Sequence, residues 1–187
     1  MKRRKFLITL SAAAAGAATG ARADAAGAPP KSIADIQKDW PTLLAKGADV
    51  AQSTSPITKT EAEWKQALRE ESFYVLRKEG TERPFSSPLN DEKRAGIFVC
   101  AGCTLPLFSS QMKYDSGTGW PSFFTTIPDR VSTKSDNLLI MTRTEYHCVR
   151  CGGHQGHVFD DGPPPTRLRY CNNGVALKFI PESSGKA

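Results

Sequence analysis

With 187 residues, 39% of them apolar and 24% charged, the chain can bury one ordinary domain core and is too polar for a protein built to live in a bilayer. Its formal charge of +6 would suit a nucleic-acid partner, but the first 23 residues hold Lys2, Arg3, Arg4, Lys5 and Arg22 and no acid. Setting those five bases aside leaves 20 against 19 acids, so the remainder is close to neutral, and no basic cluster is left to grip a phosphate backbone.

In chain order, the four bases at 2–5 precede an apolar run from Phe6 to Ala18, and Ala21-Arg22-Ala23 closes it with the small-x-small pattern of a signal-peptide cleavage site. Arg3-Arg4-Lys5-Phe6-Leu7 reads as a twin-arginine leader, which predicts export of an already folded protein to the periplasm; an ordinary secretory leader is the alternative. Residues 24–56 are rich in Ala, Pro, Gly, Ser and Lys. One amphipathic patch from Ile33 to Leu44, broken by Pro41, predicts a linker with a short helix that orders only by docking. No later stretch approaches the roughly 20 apolar residues of a membrane span, so a soluble monomer is expected after cleavage.

The domain is expected over 57–183, with a tail at 184–187. Thr60-Glu61-Ala62-Glu63 is a capping box, and Trp64, Ala67 and Leu68 follow at helical spacing; Phe73, Val75 and Leu76 extend the pattern toward Gly80. Pro84 and Pro88 mark Thr81 to Asn90 as a loop. Beyond Gly96 the pattern becomes strands between turns: Ile97 to Val99, Leu105 to Phe108, Leu138 to Thr142, His157 to Phe159, Leu168 to Cys171 and Val175 to Ile180. Asn173-Gly174 predicts a type I′ hairpin joining the last two, with Cys171 at the end of its strand, and Pro163-Pro164-Pro165 a stiff loop before them. The expected fold is mainly β: two small antiparallel sheets and a few short helices.

Five cysteines carry the chemistry. Cys100-x-x-Cys103 and Cys148-x-x-Cys151 are two knuckles that together offer four thiolates to one tetrahedral ion, and zinc is the expected occupant. The 44 residues between the pairs make this a clamp joining two distant hairpins, and four thiolates leave no open position, so the role would be structural. Disulfides are the competing outcome in an oxidising compartment; folding before export would load the metal first. A rival ligand pair, Cys151 with His154, would free one cysteine. Cys171 is left over in either scheme, close in sequence to His154 and His157, groups able to donate a proton or stabilise thiolate charge. A buried structural thiol is the bland alternative.

Several blocks resemble the signatures of the B-type methionine sulfoxide reductases. They are Gly119-Trp120-Pro121-Ser122-Phe123, Arg143-Thr144-Glu145, His154-x-Gly-His157-Val-Phe-x-Asp161-Gly-Pro163 and Arg169-Tyr170-Cys171-x-Asn173. The knuckles and Gly80-Thr81-Glu82-Arg83-Pro84-Phe85 are similar to the zinc-containing members, and the resemblance spans about residues 58 to 182. It implies reduction of the R epimer of methionine sulfoxide, free or in oxidised proteins. Cys171 would attack the sulfoxide sulfur, His157 with His154 would protonate the departing oxygen, and Asn173 would hydrogen-bond the intermediate. Trp120, with Phe159, would form the apolar wall for the methyl group. The family's resolving cysteine commonly sits in Ser-Gly-Cys-Gly-Trp, and here that position is Thr118. The departure implies a sulfenic acid on Cys171, regenerated by an external thiol, thioredoxin-like or of low molecular weight. Two rival classes remain open from the residues alone: a zinc-stabilised binding module for oxidised methionine or a protein partner, and a thiol-disulfide exchanger built on a Cys-x-x-Cys pair.

Overall fold

The computed structural model describes residues 31–136 and 143–182. The leader expected at 1–23, residues 24–30, the strand expected at Leu138 to Thr142 and the tail expected at 184–187 lie outside the described residues. Three α-helices come first: α1 (Ile33–Lys38), α2 (Glu61–Ala67) and α3 (Glu70–Lys78). Nine strands follow: β1 (Gly96–Cys100), β2 (Pro106–Ser109), β3 (Lys113–Tyr114), β4 (Ser122–Phe123), β5 (Val131–Asp136), β6 (Arg143–Cys148), β7 (His154–Phe159), β8 (Arg169–Asn172) and β9 (Leu177–Pro181). They form two antiparallel sheets in the orders β2-β1-β9 and β3-β4-β8-β7-β6-β5, the mainly β architecture expected.

β1 shows why its sheet needs a cover on each side. All five of its residues are buried, and alternation sends Ile97 and Val99 to one face and Phe98 and Cys100 to the other. Phe98 joins the main core, where the Phe108 and Phe123 rings stack 4.0 Å apart and Phe98 meets Phe123 edge-on at 5.1 Å. Ile97 and Val99 are sealed by Leu43 and Val50 of the N-terminal segment. That segment packs against the sheet. α1 starts where Ser32 and Asp35 cap each other, and Gln37 donates to the Thr125 hydroxyl at 2.8 Å.

The helical expectation holds at Thr60, whose hydroxyl and Glu63 form the capping box. It fails beyond Ala67. Leu68 and Arg69 are both extended, so α3 is a separate helix rather than a continuation. The break turns Ser72, Phe73, Val75 and Leu76 toward the core, a face that one straight helix carrying the buried Trp64 would not present.

The Asn173-Gly174 hairpin is also corrected. Asn173 has φ −68°, outside the positive range a type I′ turn requires, and a 3-10 turn, Gly174–Ala176, leads into a strand of the other sheet. Glu82 overrides the local preference: its two carboxylate oxygens accept the Gly174 and Val175 amides at 2.6 and 2.9 Å. Strands β3 to β6 are not among those expected: β3 and β4 are two residues each, and β5 is polar and mostly exposed and lacks an apolar alternation. Among the described residues no helix is long and apolar enough to cross a membrane.

Candidate active site

Register assembles the site. Cys171 on β8 is the direct partner of His157 on β7 and of Ser122 on β4. Direct antiparallel partners project to one face with Cβ atoms about 5 Å apart. The two-residue period adds Arg169 and Phe159 to that face, and Arg143 on β6 and its partner Asp136 on β5 continue it. A cavity of about 250 Å³ opens there, lined by Cys171, His157, Asn173, Trp120 and Phe159 together with Thr81, Thr118, Arg143, Gly156 and Arg169. Gly156 is obligatory because any Cβ would collide with the backbone carbonyl of Cys171.

Burial pushes the half-buried Cys171 thiol above its ordinary pKa. Opposing it are the Arg169 charge and hydrogen bonding from the Thr118 hydroxyl and the Arg169 guanidinium. Arg169 is fixed by both oxygens of Asp161, each at 2.8 Å, and lies 4.3 Å over the Phe159 ring. Thr118 hangs on Ser116, whose hydroxyl is 2.8 Å from it and 2.7 Å from that of Ser122.

His157 places Nε2 at 2.8 Å from Asp136 Oδ2, and Arg143 reaches the same oxygen at 2.6 Å. A carboxylate so paired accepts, so Nε2 carries the hydrogen and Nδ1 is the nitrogen that gains or loses a proton. Burial lowers the His157 pKa, and the Asp136 hydrogen bond works against that. His154 does not line the cavity. It is 2% exposed behind His157, with ring centroids 5.5 Å apart and Nδ1 at 2.9 Å from Glu145 Oε1, a contact that falls outside hydrogen-bond geometry. Asn173 accepts the Glu82 amide at 3.0 Å and donates one Nδ2 hydrogen to the Gln155 carbonyl at 3.0 Å. Trp120 is pinned by its indole N–H on the Glu82 carbonyl at 3.2 Å.

Arg169 could have been found from strand alternation with Cys171. Asp136 could not, because nothing local ties a polar edge residue to a histidine two strands away.

The four knuckle sulfurs lie within 4.8 Å of one another, His154 is not among them, and all five cysteines are free thiols. Cys100 meets Cys151, and Cys103 meets Cys148, at 3.6 Å each, so the close pairs cross between knuckles. A tetrahedron of sulfurs about 2.3 Å from a central ion has edges of about 3.8 Å, so the cluster fits zinc and not a disulfide. One knuckle is the β1–β2 turn and the other the β6–β7 turn, so an ion held by these thiolates ties the two sheets together. Gln155 donates to Cys100 Sγ at 3.4 Å while its carbonyl receives the Asn173 backbone and side-chain amides. None of the four lines the cavity.

Residues 68–181 match the SelR domain family. The chain is 53% identical over 131 residues to a peptide methionine sulfoxide reductase MsrB of Methanosarcina barkeri, covering 70% of this chain and 92% of that protein. An enzyme of the same name from Agrobacterium fabrum is 48% identical over 130 residues, 68% of this chain and 96% of its own, and one from Pseudomonas putida is 52% identical over 126 residues, 67% and 95%. With a thiol, an imidazole and an indole around one cavity, a four-sulfur clamp and matches of this extent, the chain belongs to the SelR family of B-type methionine sulfoxide reductases.

Proposed function

We propose that this enzyme reduces the R epimer of methionine sulfoxide by direct oxygen transfer to Cys171. The observation that carries the reading is the convergence on one cavity of Cys171, its direct strand partner His157, and Trp120 from a separate loop. Cys171 sulfur attacks the sulfoxide sulfur, and His157 Nδ1 relays the Cys171 proton to the oxygen as its bond to the substrate breaks. The oxygen passes to Cys171, so a thiol and a sulfoxide become a sulfenic acid and a thioether, two electrons moving from cysteine to substrate. Asp136 supports His157 in that step because a carboxylate favours the imidazolium form, and His154 stands behind the ring to hold its angle. Asn173 keeps one amide hydrogen for the bound intermediate, the other being spent on Gln155. Trp120 and Phe159 take the methyl group; turning the epimer would press its oxygen on the indole, at about 2 kcal/mol or more for a polar atom with no partner. Zinc in the clamp supplies structure.

Thr118 cannot form a disulfide, and the remaining cysteines belong to the clamp. Regeneration therefore uses an external thiol: one equivalent displaces water from the sulfenic acid, and a second releases Cys171 and leaves with the first as a disulfide. The leader reading points to a periplasmic repair enzyme, acting as a monomer. The test is turnover of separated R and S sulfoxides with dithiothreitol and with thioredoxin. The R epimer should be reduced at least about 100-fold faster, and Cys171→Ser should fall to the blank rate with its circular dichroism intact. Equal rates for the two epimers, or an active Cys171→Ser enzyme, overturn the assignment.

A further inference from the structure

Two large apolar side chains stand out in solvent among the described residues, Tyr74 at 54% and Phe85 at 70% exposure. Phe85 lies against Gly119 next to the cavity, and Tyr74 borders a groove that meets it. The groove, of about 600 Å³, runs along the start of α3, sharing Thr81 with the catalytic cavity and bordered by Tyr74, Arg83, Glu70 and Glu71. The Phe85 amide donates to the Gly119 carbonyl at 2.7 Å, and its ring covers Gly119 so closely that a Cβ there would lie 2.8 Å from it. Gly119 lies between Thr118 and Trp120, which both line the cavity, so the Phe85 ring stands next to that wall of the cavity, while Arg83 and Ser86 on either side of Phe85 in sequence line the groove.

Phe85 is also held with φ 62°, a backbone region that a bulky side chain rarely adopts. An apolar ring kept in solvent by an unfavourable backbone has a use for that position. The charges add a direction. Glu70 and Glu71 are exposed and take part in no ion pair among the described residues, and the nearby Glu82 is occupied with two amides.

Resting on the reductase reading, we propose that Phe85, this groove and Tyr74 dock the polypeptide flanking an oxidised methionine, and that Glu70 and Glu71 favour a lysine or arginine beside it. A free amino acid fills the cavity alone and gains nothing from the groove. The groove meets the cavity at Thr81, so a chain leaving the cavity on that side enters it.

The experiment compares free methionine-R-sulfoxide with three peptides of equal length in which the sulfoxide is flanked by Lys, Ala or Glu. The Lys peptide should exceed the Glu peptide about tenfold in kcat/KM at low salt, the gap closing at high salt, and the pair Glu70→Lys with Glu71→Lys should reverse the order. Phe85→Gly should raise KM for peptides about fivefold and leave kcat and free-sulfoxide kinetics unchanged, with Tm no lower, since glycine suits the backbone at this position. Binding of a fluorescent sulfoxide peptide to the Cys171→Ser enzyme reads the groove without turnover and should weaken with Phe85→Gly. Free sulfoxide reduced normally, with no charge preference and no Phe85 effect, overturns the docking strip alone; no sulfoxide reduced at all overturns the reductase reading, and the binding measurement then decides the strip.

Discussion

Cys171 rests as a thiol, not as a pre-formed thiolate: burial outweighs the Arg169 charge and the Thr118 and Arg169 hydrogen bonds that pull the other way. The sign is testable. Alkylation requires thiolate, so the iodoacetamide rate at Cys171 should rise with pH through a midpoint above the ordinary 9.0. Arg169→Gln removes a stabilising charge and should move that midpoint further up, whereas Arg169→Lys should move it less. A midpoint below 9.0, or one unmoved by Arg169→Gln, contradicts the balance of forces described. Thr118 yields a second outcome. One turnover with no reductant should leave one added oxygen on Cys171 by mass spectrometry, and an intramolecular disulfide containing Cys171 would rule out the external-thiol route. The leftover thiol was legible in the sequence because it is a matter of identity and count, and Thr118 was legible because the family resemblance marks that position. Asp136 and the clamping roles of Glu82 and Gln155 were not, because their partners lie on other strands.

Elements show where local preference loses to tertiary contacts. The Thr60 capping box is satisfied within four residues and forms as read, but Asn173-Gly174 is drawn off its preferred turn by Glu82, 91 positions away. Residues 31–56 look like a linker by composition because Ala, Pro, Gly, Ser and Lys make up half of them, yet Leu43 and Val50 seal Ile97 and Val99. Burying two such side chains contributes on the order of 3 to 6 kcal/mol, a large share of the 5 to 15 kcal/mol of a typical domain. A chain shortened to begin at Ile57 should therefore unfold at clearly lower urea than the chain beginning at Lys31, with less effect on kcat, since no residue of the segment lines the cavity. Equal midpoints would show that the cover is dispensable.

At the scale of the whole molecule, the clamp joins two sheets whose strands come from both ends of the domain. Structural zinc sites contribute roughly 10 to 16 kcal/mol in small domains, as much as or more than the net stability of most folds, so metal loss should be a folding event rather than a change of rate. One zinc per chain is expected on elemental analysis. Releasing it with a mercurial and a chelator, or changing Cys148→Ser, should abolish the cooperative thermal transition together with activity; a zinc-free enzyme that stays folded and active would remove the clamp from the account.

The sequence by itself picked out the candidate atoms: one unpaired sulfur, two knuckles, an imidazole pair, an indole and, through the family resemblance, Thr118 where a resolving cysteine commonly sits. Residue identity and short spacing suffice for ligands and nucleophiles. Only the tertiary structure decided which histidine faces the thiol, that a carboxylate on a polar edge strand holds it, and that the N-terminal segment is a lid on the three-stranded sheet. Those outcomes depend on register and packing between segments remote in the chain, where contact energies outweigh local propensity.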